Sequence, residues 1–215
     1  MKIRIPVLLL SGLFFVGVSH AQLTKTESEL VAKLNFDAEL ASLLKKEAGS
    51  ALTQLPTIDA ETGEIASGTF DGIVAINKSS DNEPTVENLR AQFKQKGYLL
   101  FEFSDGADLT GIAILKGGDD LDIVKYRNTQ GPNHDVDNNM IVASLEKWKK
   151  LCNFTVVGCA DDWVKITFET LPKNMTAFAK DVYKLCPDSV DQGAGTLTAL
   201  KDEITDTKSL MLWWD

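Results

Sequence analysis

Apolar positions along this chain change period several times, and each change marks an element. Leu30, Leu34, Leu40, Leu43 and Leu44 form a rough helical stripe across 27–48, broken at Asn35-Phe36-Asp37, which predicts one or two helices. Residues 50–67 are polar and hold Pro56 and Gly63, the marks of a linker or a loose hairpin. Phe70, Ile73, Val74 and Ile76 then predict a strand, and Pro84-Thr85 opens a helix that carries Val86, Leu89 and Phe93 on one face before Gly97 ends it. Tyr98 to Phe103 and Gly111 to Leu115 predict two strands around the acidic loop Ser104 to Asp108, and Ile123 to Tyr126 predicts another strand.

The order then repeats. Ile141, Leu145, Trp148 and Cys152 recur at helical spacing, and two strands, Phe154 to Val157 and Trp163 to Phe168, follow around Asp161-Asp162. The pattern predicts an α+β fold: a single mixed β-sheet with helices packed on one face and an internal pseudo-repeat of helix-strand-strand units. A third helix carries Met175, Phe178, Ala179, Val182 and Cys186, with Asn174 placed to cap it. A shorter one carries Leu197, Leu200 and Ile204. In the last strand Leu210, Leu212 and Trp214 alternate with Met211 and Trp213, and two apolar faces predict a strand inside the sheet or covered on both sides.

The first residues change the compartment. Lys2 and Arg4 precede an apolar run from Ile5 to Val18, and Ser19-His20-Ala21 supplies small residues for a cut, so residues 1–21 are expected to be a signal peptide cleaved after Ala21. The run is too short for a stable membrane span, and an exported chain, periplasmic or secreted, is expected. By composition 22–67 would form an N-terminal helical segment and linker, and 68–215 the α+β domain.

Charge narrows the partners. The chain has 31 acidic against 22 basic residues, a formal −9, and the leader removes two bases and no acid. Without a basic stripe no nucleic-acid partner is expected, whereas a basic protein is electrostatically suited. Cys152, Cys159 and Cys186 leave at least one thiol over within a monomer. A strand between the first two would hold them too far apart to bridge, and a link from Cys186 to either stays open.

Several residues recur as a set: Gly97-Tyr98, Asp122-Ile123-Val124, Thr129-x-Gly131-x-Asn133 with Asp135, Leu145-x-x-Trp148, Asp162-Trp163, Leu171-Pro172, Phe178-Ala179-x-x-Val182-Tyr183, Cys186-Pro187-Asp188, Gln192-Gly193-x-Gly195-Thr196, and Leu212-Trp213-Trp214-Asp215. In these the chain, from about residue 40 to 215, resembles the bacterial family called domain of unknown function 4253. The middle loop departs from the family's Thr-Asn-Gly-x-Asn-Tyr, reading Thr129-Gln130-Gly131-Pro132-Asn133-His134. The resemblance implies an α+β domain and implies no activity.

The candidate chemistry is thin. Cys186 invites a nucleophile reading, but it falls near the C-terminal end of an apolar helix face, where the dipole disfavours a thiolate, and His134 is the only histidine after the leader. Gln192 to Thr196 lacks the lysine of a phosphate loop and reads as a tight turn with a helix cap. Asp135-x-Asp137-x-Asn139 imitates a calcium loop, yet Met140 stands where glycine is required. No metal or cofactor is expected. The reading is a non-enzymatic protein-binding module of inhibitor or immunity type. The alternative is a carboxylate-based hydrolase or transferase drawing on Asp119, Asp122, Asp135, Asp162 or Asp188, and a small-molecule site in the Thr129 to Asn133 loop ranks below both.

Overall fold

The computed structural model describes residues 21–77, 81–105 and 109–215; the leader, Ala21 apart, lies outside them. The elements are α1 (Lys25–Lys33), α2 (Ala38–Ala48), β1 (Leu52–Ile58), β2 (Ile65–Ile76), α3 (Glu83–Gln95), β3 (Tyr98–Ser104), β4 (Thr110–Lys116), α4 (Leu121–Arg127), α5 (Asn138–Lys149), β5 (Phe154–Cys159), β6 (Trp163–Phe168), α6 (Met175–Leu185), α7 (Leu197–Thr207) and β7 (Ser209–Trp213). Among the described residues no helix is long and apolar enough to cross a membrane.

One mixed seven-stranded sheet runs in the order β1-β2-β4-β3-β5-β6-β7. All neighbours are antiparallel except β3 and β5, which meet in parallel at Glu102↔Gly158 and Phe103↔Cys159. The repeated unit is present as α3-β3-β4 and α5-β5-β6. Its two helices cover opposite faces, which corrects the expectation of helices on one. Tyr98, Leu100, Ile112, Ile114 and Val157 pack with α1, α2 and α3, while Leu99, Phe101, Phe103, Ala113, Val156 and Ile166 pack with α4 to α7. The cause is strand alternation: in β3 and β4 successive side chains on both faces are apolar, so both faces need cover.

Three local readings are sharpened or changed. Of the linker and the loose hairpin read at 50–67, the hairpin is present, β1 pairing with β2, which runs on past residue 67 to Ile76. The hairpin's inner half joins the sheet, and register shifts on both sides of Pro56 accompany an outer half that reaches α4, where Tyr126 Oη donates to the Pro56 carbonyl at 2.9 Å. Ile123 to Tyr126 is helical, within α4. Asp119 Oδ1 accepts from Leu121 N at 3.0 Å to start the helix, and Asn128 in the left-handed region (φ 54°) ends it. Lastly, β7 is an edge strand. Leu210, Leu212 and Trp214 are buried, but Met211 is 41% exposed because α1 to α3 do not extend over that end of the sheet.

Candidate functional site

Parallel β3 and β5 end on the same side, and the chain returns there repeatedly. Arg127, the last residue of α4, gathers these returns. It is fully buried and forks: Nε donates to Ser104 O (3.0 Å), Nη1 to Gly63 O (2.5 Å) and Nη2 to Asp161 Oδ1 (3.4 Å). The hairpin tip, the end of β3 and the β5–β6 turn are thus tied to one planar cation. Asn128 Nδ2 adds the Asp59 and Ala60 carbonyls, each at 3.1 Å.

The loop that follows carries the middle motif. Thr129 is fully buried, its Oγ1 donating to Ala160 O at 2.6 Å, and Gln130 N donates to Asp161 O. Gly131 pairs with Val136 around a short 3-10 turn, Pro132–His134, and Asp135 takes a left-handed φ of 53°. Asn133 and Asp135 point to solvent. Asp137 caps α5 by accepting from Met140 N at 2.8 Å, which accounts for the false calcium loop. Among the described residues no group of three or more His, Cys, Asp or Glu side chains could hold a metal ion.

The closing motifs arrive at the same place. Cys186 ends α6 and donates its Sγ proton to Trp213 O at 2.9 Å; burial, first among the causes, pushes its thiol pKa up. All three cysteines are free and buried, and burial lifts Cys152 to about 11 and Cys159 to about 12. After Pro187, a π-helical turn (Ser189–Ala194) carries Gln192 and Gly193, Gly195 takes φ 76°, and Thr196 Oγ1 accepts from Ala199 N to cap α7. Gly193 leaves room for the Trp213 ring, and Trp214, 3% exposed, donates Nε1 to Leu185 O at 3.0 Å.

Asp188 is the polar centre. It is 4% exposed, and Oδ2 meets His134 Nε2 at 2.8 Å and accepts from Asp215 N at 3.0 Å, while Oδ1 accepts from Gln192 Nε2 at 3.1 Å. Burial works against its charge, but these hydrogen bonds outweigh it and hold the carboxyl below the usual range. Asp162 behaves oppositely: although its side chain reaches the surface, partial desolvation by the protein around it, then repulsion from Asp161 and Asp215, raises it. Histidine therefore stands on Asp188 and not on Cys186, and a Cys186/His134 nucleophilic pair is not assembled.

Trp148, Asp119 and Asp122 lie apart. Trp148 is buried between α5 and α6, its ring 5.0 Å from that of Phe178 and its Nε1 donating to Asp181 at 2.6 Å. Asp119 and Asp122 begin α4 at the other end of the sheet, where Asp119 meets Lys149 at 2.5 Å. Of the acids named for an enzyme, Asp119 and Asp122 thus stand away from Asp135, Asp162 and Asp188, which belong to the segments at the Arg127 end. The residue the sequence reading missed is Arg127, hidden by the misread strand; an arginine beside Ile123, Val124 and Tyr126, in a chain with two other arginines, was the available signal.

No curated protein and no solved structure matches this chain. A family model matches residues 111–215, so Gly97-Tyr98 and the remainder of the stretch from residue 40 lie outside the match. The matched part of the chain, which carries every motif residue from Thr129 to Asp215, is similar to the family described as Domain of unknown function (DUF4253).

Proposed function

We propose that this chain is an exported, non-enzymatic module that binds a basic protein through the end of the sheet organised by Arg127. One observation carries the reading. The segments that meet there, 59–64, 104–105, 128–137, 160–162, 186–196 and 214–215, contain no lysine or arginine. Asp59, Glu61, Glu64, Asp135, Asp162, Asp191 and Asp215 are exposed among them, and the cation that ties them, Arg127, is sealed inside. Such a surface steers a positively charged partner and repels acidic ones. Its frame is rigid: the Thr129, Gly131, Cys186 and Trp214 interactions fix the loops before any partner arrives, which lowers the ordering cost of binding.

The test is capture from the native envelope at low salt by the unaltered protein and by a variant with Asp135→Asn, Asp162→Asn and Asp215→Asn. A basic protein held by the first, released by salt and lost to the variant is the expected result. Equal capture by both would sink the proposal.

A second reading keeps one specific observation. Asp162 is pushed up and Asp188 down, and opposite shifts are what acid-base work by two carboxylates needs. Against it, the Asp188 oxygens are already engaged by Asp215 N, His134 and Gln192. Turnover of any ester, glycoside or phosphate substrate, abolished by Asp162→Asn without loss of folding, would favour this hydrolase reading instead.

A further inference from the structure

The opposite side of the molecule inverts this chemistry. Between the C-terminal end of α5 and the N-terminal end of α6 lies a groove of about 540 Å³, within the size range of small-molecule sites. Its floor is apolar: Phe178 is 2% exposed, Ala177 stands beside it, and Leu151 shows 53% of its surface to water. A leucine left so exposed next to a concave wall would gain by being covered.

The rim is cationic. Lys147, Lys150 and Lys173 line it in a chain with nine more acids than bases. Lys147 is already spent on Asp181, at 2.6 and 2.7 Å, and that carboxylate also receives Trp148 Nε1. Lys150 and Lys173 meet no carboxylate among the described residues. Lys173 directly precedes Asn174, the cap of α6, and the first turn of α6 holds no acid. A cation at a helix N-terminus opposes the dipole, whose positive end favours negative charge. The two free lysines and the dipole therefore add up to a positive potential over an apolar floor, the carboxylate that lines the groove, Asp181, being paired with Lys147.

We propose that this groove binds a small, free amphipathic anion of the fatty-acid class, its acidic head between Lys150 and Lys173 and its hydrocarbon body laid across Leu151, Ala177 and Phe178. The charge pattern selects the head and the exposed leucine selects the body. The Lys147–Asp181 pair lines the groove and joins α5 to α6.

The probe is 1-anilinonaphthalene-8-sulfonate, an apolar body with one anionic group, titrated by fluorescence into the folded protein and displaced with decanoate or decanol. Expected are saturable one-site binding, displacement by decanoate and at least tenfold weaker displacement by decanol. Binding should weaken about tenfold in the Lys150→Gln/Lys173→Gln double variant, two charge-assisted contacts being lost, and also in Leu151→Ser, with thermal melting unchanged in both. Non-saturable binding, equal competition by decanol, or affinity unchanged in both variants would overturn the proposal. So would binding confined to vesicles of an anionic phospholipid without competition by decanoate, which would assign the patch to a membrane surface.

Discussion

Gly131 lies against the Trp214 indole so closely that a β-carbon at residue 131 would overlap the ring. The middle motif and the closing motif, 83 positions apart in sequence, are thus two halves of one contact. Gly131→Ala is expected to cost about 1–3 kcal/mol, the usual range for overpacking. Trp214→Ala, which empties a buried site and strands the Leu185 carbonyl, is expected to cost about 3–5 kcal/mol. Combining the two tests the contact: in denaturant melts the double variant should fall short of the sum, because the glycine has no purpose once the ring is gone.

Arg127 offers a test of geometry against charge. Its fork reaches three segments at once, which an ammonium cannot do. Arg127→Lys should therefore lose nearly as much stability as Arg127→Met, roughly 3 kcal/mol for breaking a buried charged network. Full rescue by lysine in urea unfolding would mean that charge alone matters.

Glu27 makes stability depend on acid. It is 3% exposed and joins three elements: Lys45 of α2 at 2.6 Å, Leu52 N at 3.0 Å and Thr24 N at 2.7 Å. Burial opposes its charge, yet the hydrogen bonds from Lys45, Leu52 and Thr24 bring the pKa from 4.5 down to about 2. A depressed carboxylate stabilises the fold above its unfolded pKa and loses that contribution as pH falls through the folded one. About 3 kcal/mol should disappear between pH 4.5 and pH 2. Glu27→Gln should be less stable at pH 7 and show a flatter acid limb.

Asp188 separates frame from binding. Asp188→Ala leaves Asp215 N, His134 and Gln192 without their acceptor, an expected loss of about 1–3 kcal/mol. His134→Gln should cost less, since His134 is half-buried and donates one bond. A reversal of that order in thermal melts would shift the weight of the site to the histidine.

Removal of Trp213 to Asp215 should unfold the domain. The deletion takes the indole of Trp214, the Trp213 carbonyl bonded by Cys186, and the backbone N–H of Asp215 that holds Asp188. An unchanged melting temperature would contradict the role assigned to this end of the chain.

Strands were legible wherever alternation or a continuous apolar run was bounded by turns, as in Tyr98 to Phe103 and Trp163 to Phe168. The error at Ile123 to Tyr126 has a physical cause. Four residues, Ile-Val-Lys-Tyr, with two of them β-branched, fit either element, and the bond from Leu121 N to Asp119 and the left-handed Asn128 bound them as a helix. The β1–β2 hairpin was one of two readings of its segment, and Pro56 and the outward polar residues kept the choice from a linker open. The apolar runs of β3 and β4, interrupted only by Glu102, held the signal for helices on both faces, which the reading of a repeated unit with a single layer passed over. Motif residues could be named in sequence, and their meeting could not. Only the crossing from β3 to β5 brings Thr129, Asp188 and Trp214 to one end while it leaves Asp119 and Asp122 at the other.

The parallel seam has a mechanical meaning. Within the sheet, two residue pairs join a four-stranded antiparallel group to a three-stranded one. Helix α3 spans the joint: Val86 and Phe93 pack into the core beside β3, while Glu83 grips Lys165 and Glu87 accepts from Thr167, both on β6. It acts as a splint across a narrow weld. Since the matched segment 111–215 begins beyond β3, cutting the chain there would remove both the splint and the strand that sits between β4 and β5. The family segment is therefore a signature carried by a larger cooperative unit and not a piece that can be lifted out whole.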